Sequence, residues 1–401
     1  MGKILFAHTR ELCYYSGSFF LQKLQQAINA MGVESEYLPV EKEQDWNILE
    51  ERIGESLDGV VDINSKLPYF VLDDGSPLLD ALHAPFFNYI VDHPLYHHPG
   101  LAFPLKDYHV LGVDKRHCSY MQCHYPHLKS VTFLPLGATS AIEVRPYEKR
   151  RIPLLFSGTY EAEDRVREEF YDLCGSLLSK ERAEDLRKLG NDAMERMMAG
   201  RGNQEYPLED ILEDLVSRDD LETGRYGTKE FPVLMNYLYL TDKYVRNVRR
   251  RMVLETVAGH TALTVIGEGW EQTALGSMSH VTLLGGKRME ESFSLMADSR
   301  MVLDVNPLFA NGVHDRVVSA MRNGALVCSD MFPDSEEGFW DGKRLLAYQS
   351  WNQKGLEEAL AVRDSHQAAY MAEQGRIFAE ERYSWEAVGR RLVERIQKEK
   401  R

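Results

Sequence analysis

Cysteine is scarce: the 401 residues include five (Cys13, Cys118, Cys123, Cys174 and Cys328), an odd number scattered along the chain. That excludes a disulfide framework and predicts reduced thiols used mostly in packing. Positive charge is also short, with 47 Lys and Arg against 62 Asp and Glu and a formal charge of −15. Generic binding to nucleic acid or an acidic membrane surface is therefore unfavourable except at a local basic patch. No apolar run approaches the ~20 residues of a membrane span, and the segment from Met1 to His8 is too short for a secretory signal core. The expectation is a soluble, cytoplasmic chain. A metal-binding motif is missing too. Eight of the thirteen histidines fall between His83 and His127, but His93, His97 and His98 sit in a proline-broken stretch and no H-E-x-x-H repeat occurs. Cys118 and Cys123, beside His117 and His124, read as packing residues, and no metal is expected.

What is present is an ordinary globular composition, with 44% hydrophobic, 27% charged and 10% aromatic residues, in a chain long enough for two domains. Strand and helix patterns alternate from the start. Strands are expected at Lys3 to Thr9, Glu34 to Val40, Gly59 to Asn64, Pro85 to Val91, Tyr108 to Val113 and Ser130 to Leu136. Helices are expected at 19–31, 45–57, 76–83 and 116–124. Pro146 and the basic run Lys149-Arg150-Arg151 interrupt this pattern, and a new strand begins at Ile152. Residues 163–258 lack strand signals and read as a helical insertion, with loops at Gly200 to Asn203 and Gly224 to Gly227. Alternation returns with Ala262 to Ile266, Val281 to Leu284, a helix over 289–298, Arg300 to Val305, a helix over 314–322 and Ala325 to Ser329; a charged helical stretch closes the chain. The expected fold is α/β, with two Rossmann-like doubly wound domains facing across a cleft: a first domain at 1–148, a second at 149–375, and a terminal helix at 376–401.

Three loops in the second domain carry candidate chemistry. The strand ending at Phe156 runs into Ser157-Gly158-Thr159, where Gly158 admits a ligand close to the backbone and two hydroxyls can bond phosphate oxygens, although an ordinary turn reads the same way. Gly267-Glu268-Gly269-Trp270 could frame a nucleobase or ribose, or simply turn the chain. The most informative stretch places His314-Asp315-Arg316 at a helix start that follows a strand and a loop. Free N–H groups and the positive helix end favour an anion there, and Arg316 could grip a diphosphate. The alternative has Asp315 capping the helix and Arg316 paired to a surface carboxylate. In the first domain, Asp92-His93 ends a strand where either side chain could take a proton from a hydroxyl. Tyr237 to Tyr244 followed by Arg246, Arg249, Arg250 and Arg251 forms a basic aromatic face; a solvated helix edge or a substrate-binding surface explains it better than RNA binding, and Arg249 to Arg251 could also approach the diphosphate.

These residues together resemble the GT-B glycosyltransferases, and within them the CgeB-like branch of spore maturation and spore coat proteins. The likeness lies in Ser157-Gly158-Thr159, in Val265 to Trp270, in Asn306 to Asp330, and in Asp92-His93-Pro94 and Leu134 to Gly137 of the first domain. The resemblance implies a nucleoside-diphosphate sugar, UDP-linked, as substrate rather than cofactor, held by the second domain. It also implies a hydroxyl acceptor held by the first, no required metal, and a terminal helix returning to the first domain. On this pattern Arg316 meets the diphosphate together with the Ser157 to Thr159 turn. Many retaining members carry paired Glu eight positions apart, where this chain has Asn311 and Ser319, so the ribose contact must differ and a retaining mechanism loses support. With Asp92 or His93 as the base, the expected activity is hexosyl transfer. The alternatives are a nucleotide-sugar epimerase or hydrolase, or a non-catalytic nucleotide-sugar-binding scaffold.

Overall fold

The computed structural model describes residues 2–42, 45–177, 179–199, 207–218, 226–306, 309–330, 339, 342–349 and 352–400. The loop expected at Gly200 to Asn203, and Gly224 of the next one, lie outside them. The chain divides into two compact units, one of Met1–Thr139 with Phe378–Arg401, the other of Ser140–Ile377. Among the described residues, no helix is long and apolar enough to cross a membrane.

The first unit contains strands β1 (Lys3–His8), β2 (Ser35–Pro39), β3 (Leu57–Ile63), β4 (Phe86–Ile90), β5 (Tyr108–Gly112) and β6 (Ser130–Phe133). Its helices are α1 (Ser16–Ala30), α2 (Asn47–Glu50), α3 (Leu78–Ala81), α4 (His98–Leu101) and α5 (Lys115–His124). The sheet is parallel, in the order β2-β1-β3-β4-β5-β6, so the winding reverses between β1 and β3. Ile4 to Ala7 are fully buried, as befits a strand covered on both faces. The helix expected at 45–57 shortens to α2 because the chain continues in three-residue turns, Arg52 N–H to Leu49 O and Ile53 N–H to Glu50 O.

The second unit begins with β7 (Ile152–Ser157) and continues through five helices, α6 (Glu163–Leu177), α7 (Lys180–Ala199), α8 (Leu208–Arg218), α9 (Glu230–Tyr237) and α10 (Tyr239–Ala258). There follow β8 (Leu263–Ile266), β9 (Val281–Leu283), α11 (Met289–Ala297), β10 (Ser299–Asp304), α12 (Asp315–Arg322), β11 (Leu326–Ser329), β12 (Leu345–Ala347), α13 (Gln353–Val362) and α14 (His366–Tyr383). Its parallel sheet runs β12-β11-β10-β7-β8-β9, which reverses between β7 and β10, the place where ligands enter such sheets. The core behind it gathers Leu154, Phe156, Val253, Val265, Trp270, Met301 and Leu303.

Residues 140–148 belong to the second unit, earlier than the sequence boundary at 148. Ala141 N–H donates to Asn323 Oδ1 (2.7 Å) and Arg145 N–H to Ala297 O (3.4 Å). The buried Arg150 guanidinium donates to the carbonyls of Arg145, Ser299 and Asn323. At the other end α14 carries the chain into the first unit. There α15 (Trp385–Glu399) buries Trp385, Val388, Leu392 and Ile396 and packs on α1, and Trp385 Nε1 donates to Thr139 Oγ1 (2.9 Å).

Candidate functional site

In the second unit, the β7 end and the β8 loop are built as one piece. Gly158 N–H donates to Ile266 O (2.8 Å) and Tyr160 N–H to Glu268 O (3.0 Å). Gly267 and Gly269 take left-handed φ values of 130° and 89°. A Cβ at Gly267 would stand 2.2 Å from Gly158 O, and one at Gly269 would stand 2.1 Å from Tyr160 O, so only glycine allows this approach. The turn N–H groups at 158 and 160 are thus already bonded, which leaves the Ser157 and Thr159 hydroxyls as the groups the sequence offered to phosphate oxygens. Trp270 is a departure. It is fully buried in the core, its Nε1 donates to Gly158 O (2.7 Å) and its ring meets Phe156 and Tyr160, so it supports the turn and presents no face to a base. Glu268 stays exposed, with Oε1 accepting from Gly286 N–H (2.5 Å). Beside it Tyr160 to Ala162, Arg165, Glu268, Gly269, Glu271 and Gln272 line an open pocket of about 360 Å³, large enough for a nucleoside.

The start of α12 differs from the expected bare anion site. His314 is the N-cap, its Nδ1 accepting from Arg316 N–H at 3.2 Å, and Asp315 lies beside it at 3.1 Å. Arg316 pairs with Asp304, Nη1 to Oδ1 at 2.9 Å, with both side chains buried, and lies over the Phe156 ring at 5.4 Å. Ser329 Oγ donates to the other Asp304 oxygen (2.8 Å). Arg316 is thus a partner of an inward-facing carboxylate at the end of β10. Asn311 is half-buried, and Ser319 is buried within α12.

A cation beside this turn is one that the sequence left undecided. Arg250, on α10, donates from Nη1 to Thr159 O (3.0 Å), makes no ion pair among the described residues, and its buried Nε has no acceptor. Burial, with Arg246 and Arg316 nearby, pushes its guanidinium down to about 9. Burial and the same group of arginines hold the His314 imidazole well below its usual range, while burial raises Asp315 to about 6. Arg246 pairs with Asp242 at 3.0 Å. The end of β7 therefore faces three arginines, two of them paired to carboxylates, and a buried donor atom whose hydrogen bond is unmade.

In the first unit, Asp92 is half exposed and its Oδ2 accepts from Asn64 Nδ2 (2.8 Å). Asn64 Oδ1 in turn accepts from Val91 N–H (3.1 Å), so a side chain the sequence did not flag fixes the carboxylate. His93 is buried, its Nδ1 accepts from Leu95 N–H (3.1 Å) to cap a short turn, and its ring packs edge-on against His117. It is a structural residue, leaving Asp92 as the accessible group at this strand end.

The segment 247–394 matches the profile of a family described as glycosyl transferase-like. Across 99% of this chain and 100% of theirs, the structure resembles Anabaena HepE solved with UDP-glucose, at 8% identity and a TM-score of 0.58. It also resembles sucrose-phosphate synthase from Thermosynechococcus elongatus, covering 99% of both chains at 10% identity and a TM-score of 0.54. A glycosyltransferase from Rickettsia africae matches at 8% identity, 99% and 98% coverage, and a TM-score of 0.53. A search of curated protein sequences finds no match. The two parallel six-stranded sheets, with the winding reversals described above, are the GT-B fold of these glycosyltransferases.

Proposed function

We propose that the protein is a glycosyltransferase that moves a hexose from a UDP-linked donor to a hydroxyl acceptor. The observation that carries this reading is Arg250, a half-buried guanidinium whose buried Nε has no acceptor, beside the Gly158–Thr159 turn at the reversal point of the second sheet. An unmade hydrogen bond on a buried group costs ~1–3 kcal/mol, which a diphosphate oxygen would recover. Arg246 adds charge from the same helix, so the leaving diphosphate is stabilised by guanidinium groups without a metal at this turn. The adjoining cavity suits the nucleoside, with Glu268 and Glu271 as acceptors for ribose hydroxyls. The structural likeness to HepE with UDP-glucose supports the choice of UDP, and the residue likeness noted above supports the CgeB-like branch. Asp92, anchored by Asn64, is the base for an inverting transfer.

Calorimetric titration of the full chain with UDP-glucose tests this. The Arg250→Ala variant should bind at least about tenfold more weakly, since a charge-assisted hydrogen bond contributes ~1.5–3 kcal/mol, with only a small fall in Tm because the hydrogen bond to Thr159 O is lost but no ion pair is. Wild-type affinity in that variant would remove the assignment. Stoichiometric donor binding with no sugar transfer to any acceptor would favour a non-catalytic scaffold.

A further inference from the structure

A second cluster lies in the first unit, outside everything used above. His8, the last residue of β1, is fully buried, and neither ring nitrogen has a hydrogen-bond partner. A carboxylate flanks each nitrogen: Glu41 Oε1 is 3.3 Å from Nδ1 and Glu11 Oε2 is 3.7 Å from Nε2. Glu41 follows directly on Val40, whose N–H donates to His8 O (2.9 Å). Glu11 is held in place by its other oxygen, which accepts from the N–H groups of Leu12 (2.9 Å), Gly17 (2.9 Å) and Ser18 (3.2 Å) at the start of α1. Neither Glu11 nor Glu41 pairs with a Lys or Arg among the described residues. The Tyr37 ring stacks on His8. The site is therefore net negative and holds a buried imidazole with nothing bonded to it.

The distances point to a shared ligand. Glu41 Oε1 is close to Nδ1 yet forms no hydrogen bond with it, so it lies off the ring's bonding axis. Two atoms bound to one ion at ~2.1 Å with a tetrahedral angle stand roughly 3.4 Å apart and off each other's axes. One donor atom from each of the three residues can be chosen so that all lie within 4.8 Å of one another. We propose that His8, Glu11 and Glu41 bind a divalent transition-metal ion, with Zn²⁺ the best match to one imidazole nitrogen and two carboxylates. Mg²⁺ and Ca²⁺ prefer all-oxygen sites, and the two carboxylates balance the charge of a dication. The ion would tie the end of β1 to the chain beyond β2 and to the loop that caps α1. The sequence reading expected no metal, and these residues carry no recognisable spacing motif. The site is independent of the glycosyltransferase reading and plays no part at the diphosphate.

The test is calorimetric Zn²⁺ titration of the chelator-stripped full chain, beside the Glu11→Gln/Glu41→Gln double variant. Gln keeps an acceptor for the Leu12, Gly17 and Ser18 N–H groups and Glu41 is half exposed, so the variant should fold; unchanged far-ultraviolet circular dichroism checks this. Other surface histidines and cysteines are common to both proteins and cancel in the comparison. The wild type should show one Zn²⁺ site that the variant loses or binds at least about tenfold more weakly. The Co²⁺-loaded wild type should show visible bands without a thiolate charge-transfer band. Equal Zn²⁺ binding by both proteins, no binding by the wild type, or a thiolate band implicating Cys13 would each overturn the proposal.

Discussion

Asp62 shows how far one buried side chain can set the pH response. It lies at the end of β3, fully buried, accepting from Thr9 Oγ1, Ser65 Oγ and Ile63 N–H. Burial raises its carboxyl to about 7 against those hydrogen bonds, which pull the other way. The folded value lies above the unfolded one. The group's contribution to stability is therefore complete below the unfolded value near 3.8 and is lost as pH rises through about 7. Thermal unfolding of the wild type should accordingly show Tm falling from pH 5 to 8.5 more steeply than in Asp62→Asn. The flatter slope is the readout, since any hydrogen bond rearranged by the variant shifts Tm equally at every pH; parallel slopes would mean that Asp62 ionises as freely in the fold as outside it. Arg316 illustrates the opposite kind of residue. Its removal would strand Asp304, a buried carboxylate, at a cost of ~3–5 kcal/mol, so Arg316 variants mix stability with binding and Arg250 is the informative position.

Among the elements, the β7 and β8 ends are joined through glycine, and Gly267→Ala tests that joint. The methyl group would meet a backbone carbonyl at 2.2 Å from a φ of 130°, a combination of overlap and strain worth roughly 2–4 kcal/mol. We expect a Tm drop together with weaker UDP-glucose binding; a variant as stable as the wild type would show that the loop does not press on the turn. The strands were legible in the sequence because burial on both faces leaves runs such as Ile4 to Ala7 and Met301 to Leu303 wholly apolar. The helical stretch 163–258 was legible from its lack of such runs. β12, three residues long, carries no period to read. The site was legible only in part: the turns after β7 and β8 could be located from glycine, but which guanidinium remains unpaired depends on Asp304 and Asp242, and those pairings are tertiary. Trp270 looked like a ligand-framing residue because its loop position gives no hint that the ring turns inward.

The whole molecule is interleaved: the first unit is made of residues 2–139 and the segment from Phe378 onward, and α15 covers the apolar stripe of α1, with Phe20, Leu21, Leu24, Ala27 and Ile28 buried. A chain ending at Ile377 should lose the first unit's calorimetric transition while retaining that of residues 140–377, with dye binding by the uncovered α1. Two intact transitions would show that α15 is dispensable. The same interleaving sets an order of events during synthesis. Domains usually form in the sequence in which the ribosome delivers them, but here residues 2–139 wait for a segment made after the second unit, so residues 140–377 can reach their native form while the earlier stretch still lacks its covering helix.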